Sequence, residues 1–150
     1  MIVLEYILVF ISWNMLIYWL HRLVHTIYIP FVHEWHMDHH RQVTQDALWG
    51  LHWSNVFLYN DTWKSTFDLW AIEIIPTLIF CWLTGHWWLF IIFYIWTAFI
   101  QEAIEHNENF DWFPYLTSGR WHLIHHKNSR VNFGLLTPIW DLLFKSYKNQ

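Results

Sequence analysis

The sequence has few charges, one cysteine and four glycines, and each shortage excludes a class of protein. Only 13% of the residues are charged, so an ordinary water-soluble surface is not expected. The single cysteine, Cys81, excludes a disulfide framework and a cysteine-based zinc or iron–sulfur site within one chain. The glycines form no phosphate loop or dinucleotide fingerprint. A net charge of −4 without a basic cluster gives no reason to expect a nucleic-acid partner.

Apolar residues dominate instead, at 55% of the chain, and they are concentrated in three runs. The run from Ile2 to Leu20 has the length of a spanning helix and lacks the marks of a signal peptide. The second run contains Glu73 and Pro76 and is separated from the third by a turn at 84–86, so a re-entrant hairpin is an alternative. We predict an all-α integral membrane protein, one domain over residues 1–150, with membrane-embedded helices at about 2–20, 67–83 and 87–106.

The basic residues indicate how these spans are oriented. All of them lie either between the first and second runs or after the third. The positive-inside rule then puts residues 21–66 and 105–150 in the cytoplasm and the N-terminus on the opposite side. The residues concerned are Arg22, Arg41, Lys64, Arg120, Lys127, Arg130, Lys145 and Lys148.

Histidines are abundant, and most of them follow a repeated pattern. The order H-x-x-H-H occurs twice, as HMDHH at 36–40 and as HLIHH at 122–126, and HRLVH at 21–25 follows the first span. On a helix, residues at these spacings project into one arc, so each segment presents imidazoles on one face. Such faces can converge at the cytoplasmic boundary of the membrane. Together they offer more imidazoles than one metal ion can bind, so we predict two metal ions. Imidazole suits iron, copper, zinc and nickel alike. The candidate metal ligands are His21, His25, His36, His39, His40, His106, His122, His125 and His126.

The other histidines and the nearby carboxylates are not predicted to bind metal. We expect His33, His52 and His86 to be packed or hydrogen-bonded side chains rather than ligands. Several carboxylates are candidates for orienting imidazoles by a hydrogen bond to the ring nitrogen that does not bind metal. A solvated position on the helix surface is an equally good interpretation for each of them. These carboxylates are Asp38, Glu102, Glu105 and Asp141.

Other histidine-based sites fit the spacing less well. A zinc protease needs H-E-x-x-H, and the nearest stretch, His33 to His36, is one residue too short. A carboxylate-bridged di-iron bundle needs E-x-x-H pairs, and no glutamate here has a histidine three residues later. Haem needs separate axial histidines rather than tight triplets. A membrane metal-binding or transport protein without redox chemistry remains an alternative.

The histidine segments, together with NFG at 132–134 and WDLLF at 140–144, resemble the fatty acid hydroxylase / sterol desaturase superfamily. The resemblance covers about residues 20–146. It implies an all-helical membrane protein whose cytoplasmic helices carry histidine boxes around a non-haem di-iron centre. The matching histidines would be the iron ligands, and His106 matches a histidine that members often carry after the last membrane segment.

The resemblance also implies an activity, a co-substrate and partners. Members are oxidoreductases that use O₂ and electrons to hydroxylate or desaturate a lipid, which here could be a fatty acyl chain, a sterol or a carotenoid. The membrane-embedded helices and the histidine segments occupy most of the 150 residues, so we expect no electron-carrier domain within this chain. We therefore expect a separate cytochrome b5- or ferredoxin-like donor. Monooxygenase and desaturase outcomes both stay open at this point.

Overall fold

A computed structural model describes residues 2–45, 56–57, 62–101 and 104–149, and over these residues the protein consists of helices and loops without strands. The prediction of an all-α fold is therefore confirmed for the described chain. The helices are α1 (Ile2–Thr26), α2 (Val32–Gln45), α3 (Trp63–Thr84), α4 (Trp87–Gln101), α5 (Arg120–Lys127) and α6 (Ile139–Leu143).

Helix α1 is longer than the apolar run that predicts it. It has 25 residues, which rise about 38 Å and exceed the roughly 30 Å of a bilayer core. Its first two turns expose apolar side chains such as Ile2, Val3 and Leu4, as a lipid-facing helix does. The helix continues through His21 and His25, as expected from their spacing. Its last turns therefore carry polar side chains beyond the apolar segment.

Helix α3 begins at Trp63, four residues before the predicted span, because Thr62 caps it. The Thr62 hydroxyl accepts a hydrogen bond from the Ser65 backbone N–H at 3.1 Å. Residues Trp70–Ile74 form a π-helical turn in which the Ile75 N–H donates to the Trp70 carbonyl. Pro76 gives a reason for this turn, because proline has no N–H to donate and its ring clashes with the carbonyl four residues earlier. With α1, α3 is one of two described helices long and apolar enough to cross a membrane.

A turn joins α3 to α4, as the sequence predicts. Gly85 has φ 75°, and its N–H donates to the Cys81 carbonyl at 2.8 Å. Helix α4 then has nine α-helical residues followed by six in a π-helical turn, Trp96–Gln101. This is shorter than a full crossing, and residues 102–103 lie outside the described chain. A third span over 87–106 is therefore not confirmed and stays a prediction.

The three apolar helices pack around a buried core that fixes their relative heights. Trp13 of α1 contacts Phe93 of α4 edge to face, with ring centroids 4.9 Å apart. Its indole N–H donates to the Thr77 hydroxyl of α3 at 2.8 Å. Ile74 is fully buried in the same cluster. This packing holds the ends of α1, α3 and α4 beside one another, where the histidines lie.

Candidate metal centre

The fold brings all nine predicted ligand histidines together in two adjacent groups. In each group the ligand nitrogens lie within 4.8 Å of one another. The first group consists of His21, His25, His36, His40 and His125. The second group consists of His39, His106, His122 and His126. Their role as metal ligands stays a prediction, but their convergence is a property of the fold.

Each H-x-x-H-H segment divides its histidines between the two groups. In α2, His36 and His40 face the first group while His39 faces the second; in α5, His122 and His126 face the second while His125 faces the first. Helix geometry explains this division. A residue four positions after the first histidine is rotated about 40° around the helix axis to one side of it. A residue three positions after the first histidine is rotated about 60° to the opposite side.

The nitrogens within each group are as close as ligands of one ion. His25 Nε2 lies 2.7 Å from His36 Nε2 and 3.0 Å from His125 Nε2. In the second group, His122 Nε2 and His126 Nε2 are 2.8 Å apart. With metal–nitrogen bonds of about 2.1 Å, ligands at right angles are separated by roughly 3 Å. The observed spacing therefore fits imidazoles that share an ion.

Several imidazoles form a hydrogen bond through Nδ1, the ring nitrogen that points away from the group. His21 Nδ1 and His125 Nδ1 each lie 2.7 Å from a backbone carbonyl, of Phe133 and Val131 respectively. A carbonyl only accepts, so Nδ1 carries the proton in both rings. This tautomer leaves the Nε2 lone pair free to face the group, as a metal ligand requires.

Asp68 holds a third imidazole, and the sequence pattern did not single it out. Its carboxylate oxygens lie 3.0 and 3.1 Å from His36 Nδ1, and both side chains are buried. The available signal was an acidic residue at the start of an apolar segment, where an ionisable side chain is costly unless it has a function.

The four predicted carboxylates have different surroundings. Glu105 Oε1 lies 3.7 Å from His122 Nδ1, and Glu105 Oε2 accepts a hydrogen bond from Gln101 at 2.9 Å. Asp38 contacts Arg41, Gln42 and Lys64, and its charge partly opposes the fall in the pKa of the neighbouring His39. Glu102 lies outside the described residues.

Asp141 is connected to His21 through the backbone of the loop at 132–134. Its carboxylate accepts hydrogen bonds from the N–H groups of Phe133 and Gly134, at 2.9 and 2.7 Å, and from the Ser146 hydroxyl at 2.6 Å. Burial raises the pKa of Asp141, and these hydrogen bonds oppose the rise. The loop at 132–134 is thereby fixed, and it presents the Phe133 carbonyl to His21.

Burial keeps the clustered imidazoles in the neutral form that metal binding needs. Loss of solvation lowers the pKa of His36, His122 and His125 well below the usual value, and neighbouring imidazoles add to the effect. The same causes lower the pKa of His39 to about 4. At neutral pH these side chains are uncharged, so a metal ion does not have to displace protons.

The remaining histidines lie apart from both groups. His33 Nδ1 bonds the Val24 carbonyl at 2.7 Å, and His86 bonds the Thr84 carbonyl and Glu5 on the turn side of the protein. Both are hydrogen-bonded side chains, as expected. His52 lies outside the described residues.

The charges around the centre also suit metal ions. Asp68, Glu73 and Glu105 are buried beside neutral imidazoles. Buried carboxylates are costly unless a cation or hydrogen bonds compensate them, and two divalent ions would supply that compensation. A cavity of about 30 Å³ touches both groups and is lined by these three carboxylates. The residues present therefore fit a two-metal centre.

These features define a class: a helical membrane protein with a buried polyhistidine centre at the ends of its apolar helices. The family model for fatty acid hydroxylases matches residues 6–146, and the chain belongs to this family, within the sterol desaturase / fatty acid hydroxylase superfamily. Neither the curated proteins nor the solved structures gave a match. Family membership indicates a lipid oxygenase of the hydroxylase or desaturase type, for which iron is the typical metal.

Proposed function

We propose that this protein is a non-haem di-iron enzyme that uses O₂ to hydroxylate a membrane lipid. The observation that carries the proposal is the pair of histidine groups, each with its nitrogens within 4.8 Å. One iron would be held by the first group and one by the second. The reaction would convert a C–H bond, O₂, two electrons and two protons into an alcohol and water. With iron bound, the centre would supply the activation of O₂ that this reaction requires.

The protein's own residues hold the imidazoles and keep bulk water away. The Phe133 and Val131 carbonyls and the Asp68 carboxylate each fix one ring through Nδ1. Leu69 and Leu135 line the apolar side of the cavity between the groups. Exclusion of water strengthens electrostatic interactions and limits side reactions of activated oxygen.

An apolar groove supports a lipid substrate. It has a volume of about 220 Å³ and lies between α1 and α4, lined by side chains that include Phe10, Trp13 and Phe93. Trp13 and His21 are eight residues apart on α1, which corresponds to about 12 Å along the helix. A lipid chain in this groove would therefore lie near the membrane-side approach to the centre.

We further propose a separate acidic electron carrier, cytochrome b5- or ferredoxin-like, as the partner. A groove of about 500 Å³ on the outer side of α5 is lined by three cations, Arg120, Lys127 and Lys148, and one acid, Glu108. The buried side of the same helix carries His122, His125 and His126. A carrier bound in this groove would be one helix diameter from the second group. The groove and the histidines would face the cytoplasm, with the N-terminus on the opposite side.

Metal analysis of the purified protein tests this proposal. A double variant, His39→Ala with His125→Ala, removes one histidine from each group, and His33→Ala serves as the matched control. We expect about two irons per chain in the wild type and in His33→Ala, no haem band, and loss of iron in the double variant. A haem band, or an unchanged metal content in the double variant, would contradict the proposal. A zinc-loaded preparation would first be reconstituted with ferrous iron.

Labelled oxygen then distinguishes the reaction types. Incubation with ¹⁸O₂, reductant and membrane lipids should place ¹⁸O in a lipid alcohol. A new double bond without incorporated oxygen would identify a desaturase with the same centre. Metal binding without any lipid-dependent O₂ consumption would instead indicate a metal-binding or transport protein.

A further inference from the structure

A single side-chain amide lies in the apolar part of α1. Asn14 is the only asparagine or glutamine between Ile2 and Leu20, and only 5% of its surface is exposed. Helix α1 is long and apolar enough to cross a membrane, where no water is available to satisfy a polar group. An amide at this position therefore needs partners within the protein or in a bound molecule.

The oxygen of this amide has its partners, whereas the nitrogen has not. Asn14 Oδ1 accepts hydrogen bonds from the Thr137 hydroxyl at 3.1 Å and from the Trp140 indole N–H at 2.9 Å. An indole N–H only donates, so the atom that it contacts has to be the amide oxygen. The two N–H donors of Nδ2 remain, and no acceptor among the described residues takes a hydrogen bond from them.

Asn14 lies in the wall of a groove of about 340 Å³. The wall is mostly apolar, with Ile11 and Leu142 among its residues. Phe10 and Thr137 line this groove and also the groove of about 220 Å³ between α1 and α4, so the two grooves adjoin. A lipid chain has room along the pair, and the Asn14 amide is a polar point on its course.

The polar groups at this point match a hydroxyl group. The Thr137 hydroxyl uses its proton on Asn14 Oδ1, so its oxygen is left as an acceptor beside the Nδ2 donor. A lipid hydroxyl can accept from Nδ2 and donate to Thr137 Oγ1. A ketone can use only the donor, and a hydrocarbon can use neither.

The amide also lies on the side of α1 that carries the metal centre. Asn14 and His21 are seven residues apart, which corresponds to about 10 Å along the helix and a rotation of only about 20°. Leu135 lines the cavity that touches both histidine groups, and two residues later Thr137 lines the groove. A group held at Asn14 is therefore at a fixed distance from the centre.

We propose that Asn14 and Thr137 bind a hydroxyl group of the substrate, so that the enzyme oxidises a lipid that already carries an alcohol about 10 Å from the reacting carbon. This inference rests on the proposed hydroxylation and names the class of lipid. The second C–H bond, O₂, two electrons and two protons give a second alcohol and water, so the product is a diol. A preceding reaction that introduces a hydroxyl group has to supply the substrate.

Three probes with the same number of carbons test the subsite. They are heptadecane, its mid-chain secondary alcohol and the corresponding mid-chain ketone, each radiolabelled and equilibrated with the protein in nanodiscs. Uptake by protein-free nanodiscs is subtracted. We expect the wild type to bind the alcohol about tenfold or more tightly than the alkane, with the ketone between them, because a site built to hydrogen-bond a hydroxyl rejects an analogue that lacks it.

Two substitutions separate the contributions of the donor and the acceptor. Asn14→Leu removes the donor and should abolish the preference for the alcohol and the ketone over the alkane. Thr137→Val removes the acceptor, while Trp140 still holds the amide, so affinity for the alcohol should fall to that for the ketone. Ser12→Ala removes an exposed hydroxyl of α1 outside both grooves and is the matched control. Iron content should be unchanged in all three variants.

The infrared carbonyl band of the bound ketone gives a readout that depends on neither iron nor turnover. A hydrogen bond from Asn14 should lower its frequency in the wild type and in Thr137→Val, but not in Asn14→Leu. Equal binding of the three probes by the wild type, or an undiminished preference in Asn14→Leu, would overturn the subsite and leave the proposed function standing. If Asn14→Leu does not fold, an equal loss of alcohol and ketone binding in Thr137→Val would overturn it as well. Selective binding of the alcohol by a wild-type protein that takes up no iron would overturn the proposed function and leave the subsite intact.

Discussion

Each imidazole in the centre has two nitrogens with different tasks. One faces the group, and in His21, His36 and His125 the other is held by a carbonyl or a carboxylate. The second contact fixes both the ring orientation and the tautomer before any ion binds. Removing a holding group should therefore weaken metal binding without removing a ligand.

Asp68 allows this expectation to be tested on one residue. Asp68→Asn replaces a charged acceptor with a weaker, neutral one, so His36 loses part of its orientation and the centre loses one compensating charge. We expect iron affinity to fall about 10- to 100-fold, measured by competition with a chelator. Glu34→Gln is the control, because Glu34 is exposed on α2 and its carboxylate accepts a hydrogen bond from Tyr28. Equal affinities in the two variants would contradict this role for Asp68.

The same imidazoles make the metal-free protein sensitive to acid. Folding lowers the pKa of His39 from 6.5 to about 4, and those of His36, His122 and His125 also fall. The unfolded chain therefore takes up protons first as the pH falls below about 6.5, so the free energy of unfolding decreases from there toward pH 4. Tryptophan fluorescence in detergent with a chelator should show the melting temperature several degrees lower at pH 5 than at pH 7. An unchanged melting temperature would mean that these rings are hydrated in the metal-free fold.

The sequence reveals eight of the nine histidines because helix periodicity puts each set on one face, and His106 is indicated by its match to a histidine of the family. It does not reveal Asp68 or Glu73 as neighbours of the centre. Their positions next to the histidines depend on how α3 packs against α2. The segment between the two helices does not indicate which of their residues come into contact. Glu73 is further displaced by the π-helical turn, which a regular 3.6-residue period does not predict.

At the level of elements, a short loop supports the centre in addition to the helices that carry the histidines. Residues 132–134 present the Phe133 carbonyl to His21, and Asp141 of α6 fixes this loop through two backbone N–H groups. Gly134 is required where the loop passes α6. A Cβ atom there would lie 2.5 Å from the Thr137 carbonyl oxygen and 2.9 Å from Asp141 Oδ2.

Gly134→Ala should therefore disturb the centre from a distance. The added methyl group pushes the loop away from Asp141, and the Phe133 carbonyl moves off His21. We expect reduced iron content and a lower melting temperature, measured on the same preparation. Gly85→Ala is the control: it strains a residue with φ 75° but meets no atom within 4 Å, so it should destabilise the turn and leave the iron content intact. Normal iron content in Gly134→Ala would show that the loop does not position His21.

Across the whole molecule, the centre lies between an apolar side and a basic side. Helices α1 and α3 are long enough to cross a membrane, and the histidines lie at the end of α1 and on the elements beyond it. The groove with Arg120, Lys127 and Lys148 lies on the other side of α5. Hydropathy predicts the two long helices, but packing determines which side of α5 faces outward.

Charge reversal in the basic groove tests the proposed carrier. Lys127→Glu with Lys148→Glu replaces two attractive charges by repulsive ones. We expect KM for an acidic one-electron carrier to rise at least tenfold at low salt, with a smaller difference at high salt because ions screen the interaction. Iron content should not change. Arg130→Glu lies outside the groove and is the control, and an equal rise in KM for that variant would indicate a general charge effect.

The division of each H-x-x-H-H segment between the two groups has a thermodynamic consequence for how the ions bind. Neither group can be completed without the helices that also complete the other, because α2 and α5 contribute to both. Single rings are oriented without an ion, but the first ion to bind also ties α2 to α5, so the second ion meets two helices whose relative motion is already restricted. Metal uptake should therefore be cooperative, with species that carry one ion scarce at every stage of a titration.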